Sequence, residues 1–160
     1  MRKIIPMLFI AVTTMVGCTT FNCPLNNTVY TKYKLGGDIK KLEDTLTIST
    51  TRLAGTDSVL INRDVNVDSF MLPISYSQPE DILYFETRDT LHRVYLDTIK
   101  VQKENFPHFE STDCGPSYFH KITGVTTTHN RIDSIVINHK DVNYDATKAH
   151  FIIYFGNRSL

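Results

Sequence analysis

The chain has 160 residues, 41% of them hydrophobic, 11% aromatic and 21% charged, with three cysteines and no tryptophan. Seventeen Lys and Arg balance seventeen Asp and Glu, so no basic field points to nucleic acid as a partner. The length suits one domain, and the apolar content excludes a disordered chain. Met1 to Gly17 carry the three parts of an export signal. Arg2-Lys3 is basic, Ile4 to Val16 is apolar but broken by Pro6 and Thr13-Thr14, and Gly17 is a small residue before Cys18. A stretch of thirteen residues is too short to span about 30 Å of hydrocarbon as a helix. Residues 1–17 therefore read as a cleaved leader.

Met15-Val16-Gly17-Cys18 resembles the cleavage box of bacterial lipoproteins, with Met15 where Leu is usual. The resemblance implies cleavage before Cys18, a diacylglyceryl thioether on its sulfur and acylation of the new amino group. An ordinary leader with an incidental Cys18 is the alternative. Several acyl chains, at about 0.8 kcal/mol per buried CH₂, hold a protein stably on a membrane. By the sorting rules of such lipoproteins, Thr19 in place of Asp and no acidic cluster after it imply the periplasmic face of the outer membrane, rather than the cell surface. Residues 18–27 are then a lipidated tether and 28–160 a single domain.

With Cys18 assigned to lipid, Cys23 and Cys114 form an even pair in an oxidising compartment, most simply a disulfide. Closing a loop of about 90 residues contributes about 4–5 kcal/mol in the chain-entropy account. The alternative makes Cys114 a nucleophile helped by Asp113 and either His120 or His129, which requires a thiolate held by a nearby base. No cysteine-enzyme signature surrounds Cys114.

From Val29 onward no window keeps a helical period for three turns; short alternating runs rich in Val, Ile, Thr, Tyr and Phe recur instead. In chain order the expected strands are 29–35, 46–49, 59–61, 70–74, 82–86, 91–96, 99–102, 118–123, 132–138 and 149–155. Turn signals separate them, among them Gly36-Gly37-Asp38 and Gln78-Pro79-Glu80-Asp81. In the last strand Ala149, Phe151, Ile153 and Phe155 share one face, and His150, Ile152 and Tyr154 the other. Two largely apolar faces suit a strand inside a sheet. About ten strands without a helical crossover predict an all-β, antiparallel β-sandwich, immunoglobulin-like in type.

The triplet Asp-Ser/Thr-apolar begins at Asp44, Asp57, Asp68, Asp89, Asp97 and Asp133, with no solenoid spacing. Its local reading is a turn-ending Asp and a strand-opening hydroxyl. The triplet also resembles the O-glycosylation signal of Bacteroidetes-type bacteria, implying acceptors at Thr45, Ser58, Thr90, Thr98 and Ser134; Ser69, followed by Phe70, departs from it.

Six histidines, His92, His108, His120, His129, His139 and His150, show no metal-ligand spacing, although the last four fall near successive strands. Asp64, Asn66 and Asp68, and likewise Asp141, Asn143 and Asp145, alternate like calcium ligands but lack the Gly and Glu of an EF-hand. No phosphate loop, dinucleotide fingerprint or G-x-S-x-G occurs, so no cofactor is expected. Asn105-Phe106-Pro107-His108-Phe109 reads as a contact loop, in which Phe106 or Phe109 either anchors a partner or caps the core.

Cys18, Cys23-Pro24, Asp57–Asn62, Leu72–Tyr76 and Asp113–Gly115 together resemble an uncharacterised family of small Bacteroidetes-type lipoproteins. The resemblance implies a domain with no known activity and no catalytic residue to carry over. The expected function is a non-catalytic module on the membrane by its lipid anchor, binding another envelope protein or a glycan. A small periplasmic hydrolase or carbohydrate-active protein is the alternative, resting on compartment and fold alone.

Overall fold

A computed structural model describes residues 28–51, 55, 57–112 and 114–156. The leader, the tether, Cys18, Cys23 and Asp113 lie outside the described residues. The rest is all-β, with ten strands: β1 (Tyr30–Leu35), β2 (Thr45–Thr51), β3 (Asp57–Asp64), β4 (Ser69–Pro73), β5 (Glu80–Arg88), β6 (Val94–His108), β7 (Ser117–Thr127), β8 (Ile132–Ile137), β9 (Asp141–Val142) and β10 (Phe151–Phe155).

They form two packed sheets, β4-β1-β10-β8 and β3-β2-β5-β6-β7-β9. All pairs are antiparallel except β1 with β10, where Tyr33 sits opposite Phe151 in parallel register. The architecture is the expected sandwich, although its strand order departs from the ABED/CFG arrangement of antibody constant domains. Each inner face is set by strict alternation. Along β10, Phe151, Ile153 and Phe155 are buried while Ile152 and Tyr154 are half-exposed.

The core centres on an aromatic ladder. Phe70, Tyr33 and Phe151 stack across β4, β1 and β10 at 5.1 and 4.8 Å, and Phe85 of the facing sheet tilts against Tyr33 at 6.5 Å. Burial pushes the Tyr33 hydroxyl's pKa far above the ordinary value. Gly36 follows β1 at a close approach to β10, where a Cβ would stand 2.5 Å from Ile152 Cγ2.

Two sequence expectations change. The runs at 91–96 and 99–102 belong to one region, with Leu91–Arg93 in a turn and everything from Val94 to His108 in β6. The turn is closed by Asp89, which accepts from Leu91 N, Arg93 N and Arg93 Nε at 2.7–2.9 Å. Consequently Asn105 to His108 are strand, not loop: each pairs with β7, Phe106 opposite Phe119. Phe106 is therefore an exposed strand residue, and Phe109 is exposed in the connection that follows. Pro107 is tolerated because β5 pairing stops at Gln102, leaving this part of β6 flanked by β7 alone. Of the 64–68 run, Asp64 ends β3 and residues 65–68 connect it to β4, and Asn143 and Asp145 form successive turns by accepting from Asp145 N and Thr147 N.

Candidate binding site

At one end of the sandwich the chain crosses from β4 to β5 over the paired ends of β6 and β7. There the structure encloses a pocket of about 560 Å³. Its apolar lining is Val29, Ile74 and Pro116, its aromatic mouth Tyr76 and Tyr118, and its polar contributors Thr28, Ser75 and His120. Tyr76, 64% exposed, stacks on Tyr118 with centroids 4.9 Å apart. The size falls in the range of small-molecule sites.

Beneath the pocket lies a buried polar network. Lys103 alternates with Ile99 and Val101 and so faces inward; its side chain is fully buried. Its Nζ meets Asp81 Oδ1 at 3.0 Å and donates to Gln78 O at 2.9 Å, while Asp81 Oδ2 accepts from Ser75 N. Asn105 donates through Nδ2 to Tyr76 O and Gln78 O at 3.0 and 3.1 Å. That fixes its amide orientation, leaving Oδ1 to accept from His120 Nδ1 at 2.8 Å. The proton of the neutral imidazole therefore sits on Nδ1, and Nε2 carries a lone pair.

Burial, aided by the Lys103 charge, pushes the His120 pKa from 6.5 down to about 4. His150, fully buried, is lowered too, by burial and then by His139, whose ring is 5.8 Å away; Lys32 and Asp145 also face it. His150 Nδ1 accepts from Lys32 N at 2.9 Å, a bond that needs the neutral ring. In the unfolded chain both titrate near 6.5, so as pH falls the unfolded state takes up protons first. Stability is whole above about pH 6.5 and is lost toward pH 4, His120 alone accounting for about 3 kcal/mol. Urea unfolding at pH 7, 5.5 and 4.5 should show a steadily falling midpoint, and a flat profile would contradict this. Asp89 and Asp145 add losses only at lower pH. In Asp89 burial alone would raise the pKa, but the Arg93 side chain and backbone bonds bring it below the usual range; in Asp145 bonds from Thr147 lower it.

The remaining expected residues fall elsewhere. Thr45, Ser58, Thr98 and Ser134 are half-buried in β2, β3, β6 and β8, while Ser69 and Thr90 are exposed. Of the six triplet aspartates, Asp44, Asp89 and Asp97 are buried. Asp89 fits the local turn reading, but two act over long range. Asp97 accepts from Thr128 Oγ1 and from Asn130, Arg131 and Ile132 N, and Asp44 accepts from the Arg131 guanidinium at 3.1–3.2 Å. Cys114 is disulfide-bonded; Cys23, its expected partner, lies outside the described residues.

Of the four C-terminal histidines, only His139 and His150 come together; His129 Nδ1 bonds Asp133 O, and His120 belongs to the pocket. Among the described residues no group of three or more His, Cys, Asp or Glu is placed to hold a metal ion. The pocket as a whole, assembled from Tyr76, Tyr118 and His120 over Asn105, has no signature in sequence spacing. The one available signal is parity: His120 alternates with Ile122, and Lys103 with Val101, on apolar faces.

The fold and this site define a small β-sandwich domain with an aromatic-mouthed pocket at one end. The chain belongs to the family of unknown function DUF6452, whose model matches residues 45–155, from β2 through β10. No curated protein and no solved structure matches the chain.

Proposed function

We propose that the protein is a non-catalytic binding module of the outer membrane, held on its periplasmic face by acyl chains on Cys18. Its partner is another component of the envelope, and the end of the sandwich around Tyr76 is its contact surface. The observation that carries this reading is the state of the groups at the pocket. His120 is neutral with Nδ1 committed to Asn105, and the Asp81 carboxylate beneath the pocket is engaged by Lys103 and Ser75 N. A general base needs a group that exchanges protons near working pH, and these are instead fixed in place.

The exposed aromatics support a contact surface. Tyr76, Phe106, Phe109 and Tyr144 are 45–64% exposed, and all lie on or beside the β6–β7 end. Thr28, the first described residue, lines the pocket, and Pro116 follows Cys114 by two positions. A tether ending at Thr28 would keep this end close to the membrane.

In the native host, the purified protein should have the mass of residues 18–160 plus acyl chains. A photoactivatable residue replacing Tyr76 should give one discrete crosslinked species, and the same residue replacing Val59 on edge strand β3 should give none. An unlipidated mass, or equal crosslinking from both positions, would overturn the proposal.

A further inference from the structure

We propose that the pocket holds an uncharged sugar unit, seated on the Tyr76–Tyr118 pair with a hydroxyl donated to His120 Nε2. This rests on reading the pocket as a binding site and names its ligand class. Three observations converge. None of the described residues lining the pocket is Asp, Glu, Lys or Arg, so a charged ligand would lose hydration without meeting a counter-charge. His120 is only 3% exposed yet lines the pocket, and its Nε2 has no hydrogen-bond partner among the described residues. An unpartnered ring nitrogen on a residue that lines the pocket is available as an acceptor to an O–H or N–H donor brought by a ligand.

The third observation is the mouth. The two phenol rings stack on each other, 16° from parallel, so that the exposed Tyr76 ring offers its outer flat face at the opening. Such a face packs against the C–H side of a pyranose, while the ring hydroxyls turn toward polar groups. Sugars combine that apolar face with several donors; a purely apolar ligand would leave Nε2 unpaired, and a nucleotide would bring phosphate into an uncharged site. The network below fixes the geometry in advance, because Asn105 holds both the His120 ring and the Tyr76 backbone carbonyl.

The test is calorimetric titration of the full chain, purified from the envelope in a detergent without a sugar headgroup. The probes are N-acetylglucosamine, methyl glucoside, cellobiose, glucosamine, glucuronate and adenosine. At least one neutral sugar should bind saturably, and charged counterparts at least about tenfold more weakly. Tyr76→Ala should weaken binding by about tenfold or more, with an unchanged circular dichroism spectrum, and Val59→Ala on edge strand β3 should leave it unaltered. His120→Phe should remove it.

No saturation by any neutral sugar up to about 50 mM, tighter binding of adenosine, or full affinity in Tyr76→Ala would overturn the assignment. A discrete crosslink at Tyr76 without sugar binding would defeat the sugar while leaving the envelope module standing; loss of both would defeat both. Tighter binding of purified envelope polysaccharide than of its monomer would assign the sugar to a surface glycan, and equal affinity to a free saccharide.

Discussion

Asp97→Ala should lower the unfolding free energy by about 4 kcal/mol, read as a shift of the urea midpoint at unchanged slope. The Asp97 carboxylate is almost fully buried and accepts four hydrogen bonds, three from the β7–β8 connection and one from Ile132 at the start of β8. Its Oδ2 takes the N–H groups of Arg131 and Ile132 at 2.7 and 2.9 Å, both in buried residues. Removing the carboxylate orphans these donors where the chain passes from the six-stranded to the four-stranded sheet. It also frees the turn that aims Arg131 at Asp44 and over the Phe155 ring, 5.7 Å away. Asp133→Ala, which alters an exposed copy of the same triplet, should stay within about 0.5 kcal/mol of wild type. A loss below about 1 kcal/mol in Asp97→Ala would show that water replaces the carboxylate without cost.

The second large effect belongs to the ion pair beneath the pocket. Asp81→Ala strands the Lys103 ammonium in the interior with Gln78 O as its remaining partner, and should cost about 3–5 kcal/mol. It also removes the acceptor of Ser75 N in the β4–β5 crossing. Lys103→Met fills the same volume without charge, so adding it to Asp81→Ala should recover much of the loss. A double-mutant cycle with these changes measures the coupling directly. Additive losses would mean that the two groups do not depend on each other for burial, contrary to the 3.0 Å contact.

The sandwich was legible because alternation is a local property. Phe151, Ile153 and Phe155 announce a buried face, and the facing strand shows it again in Leu83 and Phe85. Reading failed where a buried polar residue interrupts that alternation. Asp97 splits β6 in two on paper because a carboxylate in an inward position looks like a turn, and its partners lie more than thirty residues ahead. Lys103 and Asn105 hide the remainder of the strand for the same reason, with Pro107 reinforcing the appearance of a loop. The pocket was less legible still. His120 is one histidine among six until β6 and β7 pair and bring Asn105 opposite it. Lys103, whose charge bears on it, reaches it only through tertiary packing.

The parallel pairing of β1 with β10 bears on the order in which the molecule can be completed. β1 is the first strand among the described residues, yet Tyr33 waits for Phe151, more than a hundred residues later, to fill one of its two flanks. Until then its only sheet neighbour is β4, and the aromatic ladder lacks one of its three rungs. Such long-range closure is paid in loop entropy before any contact repays it, which makes folding slow relative to a chain of local hairpins. The family match begins after β1, so the strand that locks β4 to β10 comes from outside the matched span. A chain emerging from the N-terminal side therefore carries an unsatisfied strand edge from the appearance of β1 until β10 arrives to close the four-stranded sheet.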